Sequence, residues 1–278
     1  MPIKLLALDL DGTALGEDHS TLSAANCAAI HAAIDAGIEV VLATGRMRGR
    51  IPEQLEAIRE IRYWVTSNGA AVYDRHTGQV LYLNALSTDT TRTVLQTMAA
   101  FPFYLEIYCD GYSYTENARI AAAERFPIRP WQARMMPRAR RIVDSLYHWL
   151  EQAHEPVGIE KIHMPYIPPM FLDDVWQALR ALKGVKLVSS LPSNCEINSE
   201  SCNKADGLSQ LCRHLGILPG EVMAMGDNEN DTEMMEYAGL AVAPGNSTEE
   251  IKALAHAVVA DCDHDAVAQA IRQFLPVR

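Results

Sequence analysis

Leu5-Leu6-Ala7-Leu8-Asp9-Leu10-Asp11-Gly12-Thr13 is the stretch around which the rest of the chain is organised. Its four leading apolar residues suit a parallel strand buried on both faces. Gly12 frees the backbone to turn, so the strand ends where its carboxylates stand. Side chains alternate along an extended chain, which points Asp9 and Asp11 to one side and Leu10 to the other. Two carboxylates that close repel, and one keeps its proton unless a cation sits between them. Mg²⁺ suits such a place, because it takes one or two protein carboxylates and keeps positions for phosphate oxygens. The stretch offers an ionised nucleophile beside a neighbour able to carry a proton.

Outward from this strand the chain alternates. Ser23 is placed to cap a helix over residues 24–36, with Cys27, Ile30 and Ile34 on one face and Gly37 to stop it. Ile38 to Ala43 reads as a second buried strand running into Thr44-Gly45-Arg46. Pro52 suits the first turn of a helix carrying Leu55 and Ile58, and Tyr63 to Thr66 form a third strand ending in Ser67-Asn68-Gly69. Strand, helix, strand, helix, strand implies right-handed crossovers and a parallel sheet. A hairpin follows, with Val72-Tyr73 and Val80 to Leu83 flanking His76-Thr77-Gly78.

Between about residues 86 and 187 the rhythm changes. Helices are expected near 89–100, 138–152 and 172–182, and strands near 103–108, 112–115, 157–164 and 185–190. Seven prolines, from Pro127 and Pro156 to Pro169, punctuate the region. The parallel pattern returns with a helix from Lys204 bearing Leu208, Leu211, Cys212 and Leu215, stopped by Gly216. Val222 to Met225 then form a strand ending in Gly226-Asp227-Asn228-Glu229-Asn230-Asp231, followed by a helix to Tyr237 and strands at 240–243 and 257–260. The expected architecture is α/β: a Rossmann-like parallel-sheet core made of residues 1–85 and 188–278, with an α+β domain, residues 86–187, inserted into it.

A net charge of −11 over 278 residues argues against nucleic acid or an anionic membrane as partner. No apolar run approaches membrane-spanning length and the first residues lack a signal-peptide pattern, so a cytoplasmic location is expected. The six cysteines contain no C-x-x-C pair and read as reduced, buried thiols. A monomer or small homo-oligomer is expected.

Open α/β sheets bind ligands at the carboxyl ends of their strands. Each polar cluster falls at such an end: Asp9 with Asp11, Thr44-Gly45, Asn68, and Asp227 with Asn230 and Asp231. Asp227 can complete a metal site with Asp9. Thr44 and Gly45 offer a hydroxyl and a backbone N–H to a phosphate, and Lys204 a fixed positive charge. Asp231 or Asn230 also suits a helix cap.

In this order and at these strand ends, the motifs resemble the haloacid dehalogenase superfamily of phosphohydrolases. The insertion between the Thr44 and Lys204 motifs is similar to that of its Cof-like sugar-phosphatase branch. The resemblance implies Mg²⁺-dependent hydrolysis of small phosphate monoesters through an aspartyl-phosphate, with a small phosphorylated metabolite as partner. It implies that Asp9 is the nucleophile and Asp11 the general acid–base. Asp9, Asp11 through its backbone carbonyl or its carboxylate, and Asp227 would hold Mg²⁺, and Leu10, through its backbone, would hold the phosphate with Thr44, Gly45, Lys204 and Asn230. Thr13, Arg46, Asn68 and Asp231 would support the site. A phosphosugar mutase on the same core and a non-catalytic phosphometabolite-binding protein stay open as alternatives.

Three departures from the family pattern stand out: Ala14, the lack of a glycine directly after Lys204, and Ala243-Pro244-Gly245-Asn246. One feature is additional. Arg119, Arg125, Arg129, Arg134, Arg138, Arg140 and Arg141 share their stretch with a single acidic residue, Glu124. One or two of these arginines are expected to bind an anionic part of the leaving group.

Overall fold

The computed structural model describes residues 2–126, 128–152 and 158–277, so Pro127, Pro156 and the start of the strand expected at 157 lie outside them. The chain divides into two compact units. The first takes the chain through Arg46, Ile51–Tyr82 and the residues from Asn203 onward; the second takes Met47–Arg50 and Leu83–Cys202.

In chain order the first unit opens with β1 (Leu5–Leu8), β2 (Glu39–Ala43), β3 (Tyr63–Thr66), β4 (Ala71–Asp74) and β5 (Gln79–Leu83). The second unit contributes β6 (Glu106–Cys109), β7 (Tyr112–Glu116), β8 (Arg140–Val143), β9 (Ile159–Met164), β10 (Val185–Val188) and β11 (Cys195–Ser199). The chain then adds β12 (Val222–Met225), β13 (Leu240–Ala243) and β14 (Ala257–Val258) to the first sheet.

Among the described residues that sheet has eight strands, in the order β14-β13-β12-β1-β2-β3-β4-β5. β1 runs parallel to β2 and β12, with Leu5 opposite Glu39 and Val222. The sheet stays parallel from β3 to β14, and β4 turns back antiparallel to β3. Strand alternation explains why β1 is apolar throughout. Leu6 and Leu8 pack with Val40, Leu42 and Trp64 under the helices Ala24–Asp35 and Ala266–Phe274. Leu5 and Ala7 pack on the other face with Val41, Val65 and Ala224 under Lys204–Leu215 and Thr232–Tyr237. Each fully buried aliphatic side chain of this kind contributes about 1.5–3 kcal/mol. The helix stops follow their residues: Ser23 Oγ accepts from Asn26 N, and Gly216 adopts a left-handed φ of 69°.

The second unit carries, among its described residues, a six-stranded sheet in the order β10-β11-β9-β6-β7-β8. It is antiparallel except for β7 with β8. One face places Ile107, Ile162 and Ile197 in a core with Val94 and Leu179 from the helices Thr88–Met98 and Leu172–Arg180. The alternate positions Glu106, Tyr108, Lys161, His163 and Glu196 form a buried polar face.

Two expectations need correction. No continuous helix runs over 138–152: Ala139 turns at φ 56°, Arg140–Val143 pairs with β7, and Ser145 caps a separate helix, Leu146–Glu151. Cross-strand pairing has overridden a helix-compatible pattern there. Residues 188–202 belong with the second unit and not with the first, because β11 lies between β10 and β9. Cys195 and Ile197 point into its apolar core while Glu196 faces the polar side, a short period-2 pattern that the polar flanks concealed. All six cysteines are free thiols, and no helix among the described residues is long and apolar enough to cross a membrane.

Candidate active site

The site is built within the first unit at the carboxyl end of its parallel strands. Asp9 directly follows β1, and its amide donates to Met225 O at the end of β12 at 3.0 Å. Its parity matches Leu5 and Ala7, the face covered by the Lys204–Leu215 helix. Lys204 Nζ accordingly donates to Asp9 Oδ1 at 2.5 Å and to Asp231 Oδ1 at 2.6 Å, with the ammonium fully buried. Leu10 points into the opposite core, as alternation requires.

Oxygens of Asp9, Asp227 and Asp231 all lie within 4.8 Å of one another. Burial pushes Asp9 up to about 7 and Asp227 up to about 9; neighbouring carboxylates add to both shifts and Lys204 opposes them. Burial also works against the charge of Lys204, but Asp231 and Asp9 outweigh it and raise the ammonium above the usual lysine range. Asp231 serves as a brace: besides holding Lys204, its Oδ2 accepts from the amides of Asp227 (3.0 Å) and Asn228 (3.2 Å). Thr13 Oγ1 donates to Asp227 Oδ1 at 3.2 Å. Gly12 turns at φ 81°, and a Cβ there would sit 2.5 Å from Asp227 Oδ2. The close approach of the β1 turn to Asp227 thus requires glycine.

The Asp11 carboxylate is not one of the three that gather there; it is held by other partners. Arg46 grips its carboxylate with a two-pronged fork, Nε to Oδ2 at 2.8 Å and Nη2 to Oδ1 at 2.5 Å. His19 Nδ1 lies 2.9 Å from Oδ1. Burial alone would raise Asp11, but Arg46 and His19 overturn that and hold it well below the usual carboxylate range. Strand alternation does not reach Asp11, because β1 ends at Leu8 and Asp11 already belongs to the turn.

Thr44 and Gly45 follow β2. Thr44 is buried, and its Oγ1 accepts from Arg46 N at 3.1 Å. Its carbonyl accepts from Asn68 N and that of Arg46 from Ser67 N, tying the loops after β2 and β3 together. Ser67, Asn68 and Gly69 take three successive positive φ angles, 52°, 61° and 92°. That turn delivers Asn68 Oδ1 to Asn230 Nδ2 at 3.3 Å. A Cβ on Gly69 would lie 2.0 Å from Asn203 O. The glycine missing after Lys204 has a counterpart at Gly207, where the Gly69 carbonyl leaves no room for a side chain (2.8 Å). Asn203 Oδ1 caps the helix by accepting from Asp206 N.

One residue of the site, His19, carries no signal in the sequence beyond its polarity, and Asn246 stands out there only as part of an unusual step. His19 reaches Asp11 from a polar loop. Asn246 Nδ2 donates to Gly12 O at 2.8 Å and its Oδ1 accepts from Cys262 N at 2.8 Å, so the unusual Pro244-Gly245-Asn246 step props the β1 turn. The arginine stretch is partly structural: Arg119 donates to the carbonyls of Met98, Phe101 and Phe103, Arg129 to Pro192 O, and Arg141 stacks over Tyr112.

A family model described as haloacid dehalogenase-like hydrolase matches residues 6–271. The chain is 30% identical over 288 residues to Phosphatase YwpJ of Bacillus subtilis, covering 98% of this chain and all of that one. It is likewise 30% identical over 273 residues to the B. subtilis 5-amino-6-(5-phospho-D-ribitylamino)uracil phosphatase YcsE, covering 98% and 96%. The solved structure of a haloacid dehalogenase-like hydrolase from B. subtilis superposes with a TM-score of 0.84 at 28% identity, covering 98% of this chain and all of that one. With a matching fold, a matching family model and named phosphatases aligned end to end, the chain belongs to the haloacid dehalogenase-like hydrolases and is a phosphoric monoester hydrolase of that family.

Proposed function

We propose that the chain hydrolyses phosphate monoesters of small metabolites, with Asp9 as nucleophile and Asp11 as proton carrier. The observation that supports this most is the placement of Asp9, a buried carboxylate at the end of the central strand, bonded to Lys204 and beside Asp227.

Asp9 attacks phosphorus, the bond to the leaving oxygen breaks, and the phosphoryl group passes to the carboxylate. The departing alkoxide takes a proton from Asp11. Water then attacks the aspartyl-phosphate, gives its proton to Asp11 and frees Asp9, so ester and water become alcohol and phosphate. The Arg46 fork holds Asp11 ionised, the form that accepts the proton from water. Protonating the leaving group requires that fork to loosen. Thr44 Oγ1 accepts from Arg46 N and so keeps its own proton for a phosphoryl oxygen. Lys204, with two N–H groups on Asp9 and Asp231, has a third for the same purpose. The amides of Leu10 and Gly45 and the side chain of Asn230 complete the cradle, and donors fixed in this way favour developing negative charge.

The donor set suits Mg²⁺: its oxygens are all carboxylate, and burial and mutual repulsion push two of the groups toward keeping protons that a cation would displace. Asp9 and Asp227 would hold it, since Asp231 spends its oxygens on Lys204 and the loop amides. When bound, the ion supplies positive charge to the phosphoryl oxygens.

Asp9→Asn tests the proposal, because an amide of the same shape cannot attack phosphorus. Turnover of p-nitrophenyl phosphate and of a panel of sugar, nucleotide and coenzyme phosphates should fall by several orders of magnitude with the fold unchanged. The panel should include ribitylaminouracil phosphate, which the name of YcsE suggests as a substrate class. Substantial activity in the variant contradicts the mechanism, and activation by a sugar bisphosphate would mark a mutase.

A further inference from the structure

The loop after β13, which carries the unusual Ala243-Pro244-Gly245-Asn246 step, lies wholly in the first unit. It folds into a tight turn, with Ser247 N donating to Pro244 O at 3.1 Å. The proline ring holds one backbone angle of that turn fixed. Two bonds pin the turn to the loop after β14: Gly245 N to Ala260 O at 3.0 Å, and Cys262 N to Asn246 Oδ1 at 2.8 Å. The other half of the same amide, Asn246 Nδ2, donates to Gly12 O at 2.8 Å. Two residues on, Thr248 N donates to Asp227 O at 3.0 Å, and Thr248 Oγ1 caps the helix Glu249–Leu254 by accepting from Ile251 N.

These bonds close a ring around one carboxylate. Gly12 and Thr13 touch Asp227 directly: a Cβ on Gly12 would fall 2.5 Å from Asp227 Oδ2, and Thr13 Oγ1 donates to Oδ1 at 3.2 Å. Asn246 holds the Gly12 side of that contact and Thr248 the Asp227 side, with one residue between them. That residue, Ser247, is buried and its Oγ has no hydrogen-bond partner, so the grip comes from its two neighbours. Asn246 is exposed, and a hydrogen bond of this kind contributes only about 0.5–1.5 kcal/mol to stability. Its larger effect is on order. A carboxylate held from both sides meets a cation with less freedom left to lose. Groups that orient a metal's ligands change affinity about 10–100-fold when they are removed.

We propose that Asn246–Thr248 is a strap that presets Asp227 for its cation, and that Asn246 is a positioning residue for metal binding. Its side chain bonds Gly12 O and Cys262 N, and it acts by fixing the turn against which the Asp227 carboxylate is set. This role rests on the reading of Asp227 as a cation ligand, and it can be measured without substrate.

The experiment compares the parent with Asn246→Ala, Thr248→Pro and Ile271→Val. Asn246→Ala removes both side-chain bonds. Thr248→Pro removes the amide that Asp227 O accepts from, at a φ of −61° that proline shares, and gives up the Oγ1 cap. Ile271→Val opens a small cavity in the apolar core on the other face of the sheet from Asp9. Melting temperature is followed against Mg²⁺ concentration without substrate, and the stabilisation yields the dissociation constant. Turnover of p-nitrophenyl phosphate is followed over the same concentrations. Asn246→Ala and Thr248→Pro should need about tenfold more Mg²⁺ in both titrations, with kcat returning to near the parent's value once Mg²⁺ saturates. Ile271→Val should melt lower and keep the parent's Mg²⁺ dependence. If Thr248→Pro does not fold, Asn246→Ala decides. Parental Mg²⁺ affinity in Asn246→Ala would overturn the proposal, as would an equal loss of affinity in Ile271→Val or a parent that Mg²⁺ does not stabilise. A parent that Mg²⁺ stabilises but that shows no turnover would sink the phosphatase mechanism instead, and the melting titration would still judge the strap.

Discussion

Replacing Lys204 by methionine keeps the apolar stem and removes the only cation bonded to the buried Asp9–Asp231 pair among the described contacts. The variant leaves three carboxylates, with oxygens within 4.8 Å, uncompensated by that ammonium. Stripping one partner from a buried ion pair costs about 3–5 kcal/mol. For a unit of this size 1 kcal/mol moves the melting temperature by about 2–4 °C, so metal-free Lys204→Met should melt about 6–20 °C below the parent near neutral pH. The pH dependence has a definite sign. Asp9 and Asp227 sit at about 7 and about 9 in the folded chain, above their ordinary 3.8. Carboxyls raised in this way contribute stability that is fully present below 3.8 and lost as pH rises through 7 and then 9. Lys204 is what restrains both shifts, so its loss should hurt most near pH 9, less near pH 5, and less again when Mg²⁺ is added. Thermal unfolding of both proteins, in chelator and in Mg²⁺ across that range, reads this directly. Turnover should fall by about 10²–10³, as for other preorganised donors. A deficit that is the same near pH 5 and near pH 9, or a variant as stable as the parent near pH 9 in chelator, would refute the reasoning.

Arg46→Met should let Asp11 rise from its depressed position, moving to higher pH the alkaline limb that a proton donor to the leaving oxygen sets in the kcat/KM profile; an unmoved limb would disconnect Arg46 from proton transfer. Gly69→Ala sets a Cβ 2.0 Å from Asn203 O at a φ of 92°, and should cost about 2–4 kcal/mol in urea denaturation; a loss under about 1 kcal/mol would mean that the Lys204 helix gives way easily. In the second unit, burial would raise Glu196, but Lys161 and His163 bring it down to about 2 from 4.5. That carboxylate stabilises the unit above pH 4.5 and the benefit disappears as pH falls toward 2, so Glu196→Gln should flatten acid unfolding followed by circular dichroism. A variant with the parent's slope would show that the Lys161 pair contributes nothing there.

How much of this was legible in the sequence depended on where tertiary contacts intervene. β1 announced itself because Leu5–Leu8 must satisfy two cores at once, and the Lys204 helix because Gly216 ends it in a left-handed turn. Asp9, Lys204, Asp227 and Asp231 do converge, since strand ends in a parallel sheet lie together whatever their separation along the chain. Asp11 was harder. Its local spacing pointed it toward Asp9, and only the fold brings Arg46 and His19 to claim it. β8 and β11 were hidden for a related reason. Arg140–Val143 and Cys195–Ser199 are weakly strand-like by composition and are fixed by partners in β7 and β9.

The central claim is that the phosphoryl group is carried on Asp9. The most direct measurement is to quench the enzyme with acid during turnover of a small phosphate ester, reduce it with borohydride and map the product by mass spectrometry. The account predicts that residue 9 is recovered as homoserine, the reduction product of an aspartyl-phosphate, while Asp11 is unchanged. A phosphoryl group trapped on any other side chain, or an enzyme that turns over with none trapped at all, would contradict it.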